Sequence, residues 1–383
     1  MKKVLILGGG FAGVKAAIEL QKNKIFDVSL ISDRPYLYLY PISIWIPVHI
    51  TSFDKAKVSL LEVQKRHGFK IITDSVTKVN TENQTVEGKQ QSYSYDYLIL
   101  ATGASKMSHK GIENTFSICG QPDVSVQIRD QVDNLISKGK GTIAVGFGGN
   151  PTDTSAMRGG PAFELIFNIH NYLKKKKLRL HFDLVFFAPM PNPGGKMGPK
   201  APVMTAQMFE KYGIKKQTGK KIKEFLPEGV RFEDDSLLQA DLTLFIPAGK
   251  GHSLFQNSTL PLSEAGFIKT DDTGLVQGFT NIYVAGDAAA LIGPDWIAKQ
   301  GHLAEMMGAH AAENIHNTEK NIPTRQSITP HYKIICIMDT GKGAAFVFRN
   351  AKKAFIIPMP IIGHWLKKAW AMMTRYKMTG KFS

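Results

Sequence analysis

Cysteine is scarce in this 383-residue chain, which has two, Cys119 and Cys336. Two cysteines cannot build a disulfide framework or a four-cysteine metal site, and their scarcity suits a reducing compartment. No metal site is expected. Long apolar runs are missing as well. The longest uncharged stretches, Pro35–Phe53 and Ala354–Leu366, are broken by Pro35, Pro41 and Pro47 and by Pro358 and Pro360. Neither reads as a transmembrane helix. Acid is absent where base gathers. Thr340–Ser383 carries nine Lys/Arg and no Asp or Glu, more than half of the net charge of +16. No signal peptide is expected, because the apolar run behind Met1-Lys2-Lys3 leads into a glycine turn and not to a small-residue cleavage site. What remains is ordinary: 43% hydrophobic and 21% charged residues exclude wholesale disorder, and the length suggests two or three domains.

What is there begins at once. Lys2–Leu7 reads as a buried parallel strand, Gly8-Gly9-Gly10-Phe11-Ala12-Gly13 as a turn, and Ala12–Gln21 as a helix. Gly8 makes the turn tight, Gly10 lets a pyrophosphate approach the backbone, and Gly13 lets helix and strand pack closely. The helix N-terminus offers free N–H donors to the phosphates. A second strand, Asp27–Ile31, ends in Ser32-Asp33, where a ribose partner is expected; Asp33 is the preferred residue, with Ser32 the alternative.

Two later strands end in small-residue turns, Tyr95–Leu100 before Ala101-Thr102-Gly103 and Thr280–Ala285 before Gly286-Asp287. Both resemble the paired signatures of the pyridine nucleotide–disulfide oxidoreductase group of flavoproteins. That resemblance implies FAD as the cofactor. It puts Ala101, Thr102 and Gly103 near the adenosine–pyrophosphate end, and Gly286 and Asp287 at the flavin ribityl chain.

A second glycine turn, Gly146-Phe147-Gly148-Gly149-Asn150-Pro151, follows the strand Thr142–Val145. Pro151 stands where a small residue is wanted, Thr152–Gly160 separates the turn from a helix expected at Pro161–Leu173, and the strand Phe182–Phe187 ends without an acid for a ribose. This half reads as Rossmann-like but a poor NADH site.

Ile335-Cys336-Ile337-Met338-Asp339-Thr340-Gly341 resembles the C-I-x-D-x-G segment of sulfide:quinone oxidoreductases, and Phe116-Ser117-Ile118-Cys119 is similar to that family's S-I-C segment. Pro294–Glu305, with Lys299-Gln300-Gly301, resembles its P-K-x-G-x-x-x-E stretch. The resemblance implies Cys336 as a redox cysteine, Cys119 near the dimethylbenzene edge of the flavin, Lys299 as a positive charge beside it, and Gly301 at the start of a flavin-side helix. One departure matters. The family's other redox cysteine precedes a G-P-A-[YF]-E segment, here Gly160–Glu164, and Met157-Arg158-Gly159 hold no cysteine. Either Cys336 works alone, with Arg158 favouring its charged form, or the chain uses another donor.

Gly363–Thr379 spaces Leu366, Trp370, Met373 and Tyr376 on one helical face, with Lys367, Lys368, Arg375 and Lys377 flanking it. An acid-free amphipathic helix suits an anionic membrane surface, and no nucleic-acid partner is expected. Phe346 and Phe348 are expected to line a quinone pocket, or else to be alternate residues of a buried strand. His364 is expected at the surface, and Ala188–Pro202 as a loop over the site.

The expectation is therefore an α/β chain with two Rossmann-like dinucleotide-binding domains, the second inserted in the first, and a C-terminal amphipathic membrane-binding segment. Residues 1–117 with 255–330 form the FAD domain, 118–254 the second, and 331–383 the redox-cysteine and membrane region. The expected activity is electron transfer from sulfide to quinone at the cytoplasmic membrane. The alternatives are a sulfide dehydrogenase subunit serving a cytochrome, a type II NADH:quinone oxidoreductase, and a basic flavin-fold binding protein. Homo-oligomerisation is left open.

Overall fold

The computed structural model describes residues 1–382. Val4–Leu7, an apolar run without alternation, is buried as the middle of a five-stranded parallel sheet. Its order is Ile282–Val284, Tyr97–Leu100, Lys2–Leu7, Phe26–Ser32, Lys70–Thr73. Leu7 lies opposite Ile31 on one side and Leu100 on the other. The chain thus leaves the central strand between two neighbours whose connections run in opposite directions, which opens a crevice at the strand's carboxyl end. Helix Phe11–Gln21 starts there and packs against helix Gly301–Glu319.

A second parallel sheet orders its strands Ile214–Thr218, Phe182–Ala188, Gly141–Phe147, Leu242–Ile246. Helix Gly160–Lys175 covers it with Phe163 and Phe167, which meet Phe186 and Phe209 in an aromatic stack. The segment expected to loop from Ala188 to Pro202 ends early, because Ala201 and Pro202 already open helix Ala201–Lys211, where proline suits the first turn.

The chain finishes in an antiparallel sheet, Ile334–Asp339, Gly343–Arg349 and Ala354–Pro360, followed by helix Ile362–Thr379. Pro358 and Pro360 sit in the edge strand, where a missing N–H costs no central ladder bond. The last helix is tied down at its far end. Arg66 Nη1 donates to Tyr376 O at 3.0 Å, Arg375 Nη2 donates to Lys55 O at 2.7 Å, and Gly380 closes the helix at positive φ.

Candidate functional site

At the first glycine turn, a Cβ on Gly8 would lie 2.3 Å from the Ala101 carbonyl oxygen, and one on Gly13 would lie 2.0 Å from Gly8 O. Gly8 also holds φ at +115°, so both positions exclude side chains. Gly10 and Gly103 differ, because nothing stands within 4 Å of a Cβ built there. Thr102 Oγ1 is buried between them in sequence and has no protein partner. Closed Gly8 and Gly13, open Gly10 and Gly103 and an orphaned hydroxyl make a cradle that fits a dinucleotide. Gly286, at positive φ, packs on Ala12 and Ala304, and Gly301 begins its helix against the Phe11 ring.

The ribose end divides the two residues proposed for it. Ser32 is buried, with its hydroxyl donating to Arg34 O at 2.7 Å and accepting from Arg34 N at 3.2 Å. Asp33 is exposed and accepts from Arg34 Nε at 3.3 Å. Arg34 Nη1 is buried without a partner. Sequence reasoning passed over Arg34, and its position directly after Ser32-Asp33 was the available signal.

Arg158, expected to favour the charged form of Cys336, is not among the charges that act on its sulfur. Its guanidinium pairs with Asp287, the carboxylate of the Gly-Asp turn. It also acts electrostatically on Lys106 and Tyr40, two neighbours that also feel Cys119. Burial, followed by Arg158, pushes Lys106 down to about 8. Lys106 is a second residue that sequence reasoning missed, and no motif marks it. Lys299 is almost fully buried, with its ammonium donating to Ala289 O and lying 3.9 Å from the centre of the Phe267 ring. Burial lowers it to about 7, Asp153 opposing and Arg158 adding.

Cys336 keeps different company. In the sheet it pairs with Val347, a fully buried residue on the inner face. The charges acting on its sulfur are those of Glu164 and Lys367. Burial first, then Glu164, pushes the thiol up to about 12, and Lys367 draws it back. Lys367 is therefore no headgroup cation. It is buried and paired with Glu164, correcting its place in the basic flank. His364 is likewise not a surface residue, since its Nδ1 lies 2.7 Å from Oδ2 of the buried Asp339.

Phe346 and Phe348 pair with Ile337 and Ile335, and strand alternation puts all four on the face opposite Cys336. They meet Phe355, with ring centres 6.2 and 5.0 Å away. They share a sheet with the cysteine but do not wall its side.

The second glycine turn is built for itself. Asn150 Nδ2 donates to Gly249 O at 2.8 Å, and Asn150 Oδ1 accepts from the amides of Thr152 and Asp153. Thr154–Ala156 form a 3-10 turn, and the helix begins only at Gly160. The loop after Ala188 is strapped over this region. Lys196 Nζ donates to Thr154 O and Ile297 O, and Arg349 Nη1 donates to Gly195 O and Lys196 O.

Comparison with known proteins agrees with this architecture. The chain is 24% identical over 98% of its length, and 91% of the relative's, to sulfide-quinone reductase of Aquifex aeolicus. The solved sulfide:quinone oxidoreductase from that bacterium superposes with a TM-score of 0.88 at 23% identity, covering 99% of this chain and 92% of that one. A type II NADH:quinone oxidoreductase of Staphylococcus saprophyticus is 22% identical over 93% of each chain. NDH2 of Plasmodium falciparum, solved in complex with NADH, superposes at 0.77 with 15% identity, covering 100% and 96%. The pyridine nucleotide-disulphide oxidoreductase model matches residues 2–314, which span the cradle, both parallel sheets and the helix behind the first turn. This chain belongs to that family of FAD-dependent oxidoreductases.

Proposed function

We propose that the chain oxidises sulfide, or a related sulfur nucleophile, and delivers the electrons to a quinone in the membrane. The observation that carries the reading is Cys336, on the inner face of its sheet, backed by a buried carboxylate–ammonium pair. Gly8, Gly10, Gly13, Ala101, Thr102, Gly103, Gly286, Asp287 and Gly301 are the residues we assign to FAD, with Asp33 or Ser32 at the ribose. FAD, when bound, supplies a two-electron sink. Cys336 is the sulfur acceptor. Joining a sulfide sulfur to its Sγ makes a persulfide and releases two electrons and two protons. Glu164, raised by burial, is the base we assign to the thiol proton. In sequence Arg158 falls at or beside the position of the family's second redox cysteine, so with no cysteine there release of the sulfur falls to a nucleophile from outside.

The tail is the part we assign to the membrane. No helix among the described residues is long and apolar enough to cross one. Ile361, Ile362, Trp365, Leu366, Met372 and Met373 are exposed, and Lys368 and Lys377 accompany them without an acid. Phe346 and Phe348, packed with Phe355 on the sheet face opposite Cys336, are the residues we assign to the quinone. NADH as donor is disfavoured by the self-bonded second turn and its late helix.

The test is anaerobic flavin absorbance of the detergent-solubilised protein. Sulfide should bleach the flavin, a soluble quinone should restore it, and Cys336→Ala should not bleach. Bleaching by NADH and not by sulfide would move the chain to the NADH:quinone reductases.

A further inference from the structure

The tail helix Ile362–Thr379 is the last element of the chain, yet two of its side chains turn inward, His364 onto the strand that carries Cys336 and Lys367 onto helix Gly160–Lys175. His364 Nδ1 lies 2.7 Å from Asp339 Oδ2. A carboxylate can only accept, so Nδ1 bears the proton and donates it. Asp339 is fully buried, and its other oxygen accepts from Asn168 Nδ2 at 3.0 Å and from the Gly341 amide at 2.8 Å. One turn along the tail, Lys367 pairs with Glu164, and the same Glu164 oxygen accepts the Asp339 amide at 2.6 Å. Trp45 closes the side, 4.9 Å from the His364 ring and 5.9 Å from Lys367 Nζ, centre to atom. The tail, the cysteine strand and helix Gly160–Lys175 therefore interlock through one continuous polar ring.

Cys336 is three residues before Asp339, and Lys367 is the cation that favours its ionised form. A lysine reaches such a place on a long, flexible stem, and it stays only if the backbone beneath it is held. Glu164 holds the ammonium. The His364–Asp339 bond holds the turn of helix from which the stem springs. We propose that His364 is a positioning residue: through Asp339 it keeps Lys367 against Glu164, at the strand that carries Cys336, which makes the tail helix part of the sulfur site. The proposal takes its functional meaning from the reading of Cys336 as sulfur acceptor. Its test follows the thiol itself and stands apart from whether sulfide is the donor.

The experiment is alkylation of the full-length, flavin-loaded protein by iodoacetamide at pH 8, followed on the Cys336 peptide by mass spectrometry. Lys367→Met removes the cation and should slow the reaction about tenfold. His364→Phe, which keeps a ring against Trp45 but loses the donor, should slow it similarly, and so should His364→Ala. His364→Asn can still donate to Asp339 and should restore the rate to within about twofold of the parent. Because His364 acts through Lys367, His364→Phe should add nothing in the Lys367→Met background. Arg375→Ala loosens the far end of the helix and should leave the rate unchanged. Additive slowing in the double variant, an equal loss in Arg375→Ala, or no change or faster alkylation in His364→Phe would each overturn the proposal. Faster alkylation would mean that the tail merely shields the thiol.

Discussion

Two residues carry charge states that an experiment can read directly. Burial and Glu164 push the Cys336 thiol up to about 12, so its thiolate fraction rises about tenfold per pH unit through the working range. Alkylation of Cys336 should therefore climb steadily from pH 7 to 9 with no plateau. A plateau near pH 8 would mean that some other group stabilises the thiolate. Lys299 shows the opposite displacement, down to about 7 from an ordinary 10.5. Below pH 7 it is protonated in both folded and unfolded chains, and its buried charge costs stability. Between 7 and 10.5 the folded chain has shed the proton while the unfolded chain still holds it, so stability rises with pH. Lys299→Met should raise the melting temperature most at pH 6 and flatten its rise toward pH 10. An unchanged slope in the variant would exclude Lys299 as the source.

Among elements, the contact between helices Phe11–Gln21 and Gly301–Glu319 governs the cradle. A Cβ on Gly308 would lie 2.2 Å from Ala12 O, on the turn that begins the first helix. Gly308→Ala should destabilise the protein by about 1–3 kcal/mol. It should also lower the flavin content, because relief of the clash moves the phosphate-facing end of that helix. Retention of full flavin occupancy at an unchanged melting temperature would sink this account. The two glycine turns show how much was legible at this scale. Closed Gly8 and Gly13 and open Gly10 follow from spacing alone, and so did the helix near Pro161, which begins one residue earlier. The tail was legible as a helix but not as a set of contacts. Periodicity marks His364 and Lys367 as neighbours on one face, and it cannot report that Asp339 and Glu164 wait there.

For the molecule as a whole, the proposed membrane contact rests on the apolar side of the tail. Trp365 is 63% exposed and Met373 48%. Replacing both with serine should release the protein from anionic vesicles in a flotation assay while flavin content and sulfide bleaching in detergent stay intact. Raising the salt should weaken wild-type binding only in part, because the apolar contact survives screening. Complete loss at high salt would point to a purely electrostatic surface and against insertion of the tail.

The nucleotide turns, the parallel strands, the helical tail and the mismatch at Pro151 were all readable from residue order, because each depends on neighbours a few positions apart. The partners of the reactive groups were not. Arg158 finds Asp287, and Glu164, Asp339, His364 and Lys367 gather near Cys336, across separations of more than a hundred residues in several cases. Charge and burial act through space, so the folded chain alone decided that the tail's lysine turns inward to pair with Glu164 and that Phe346 and Phe348 face away from Cys336.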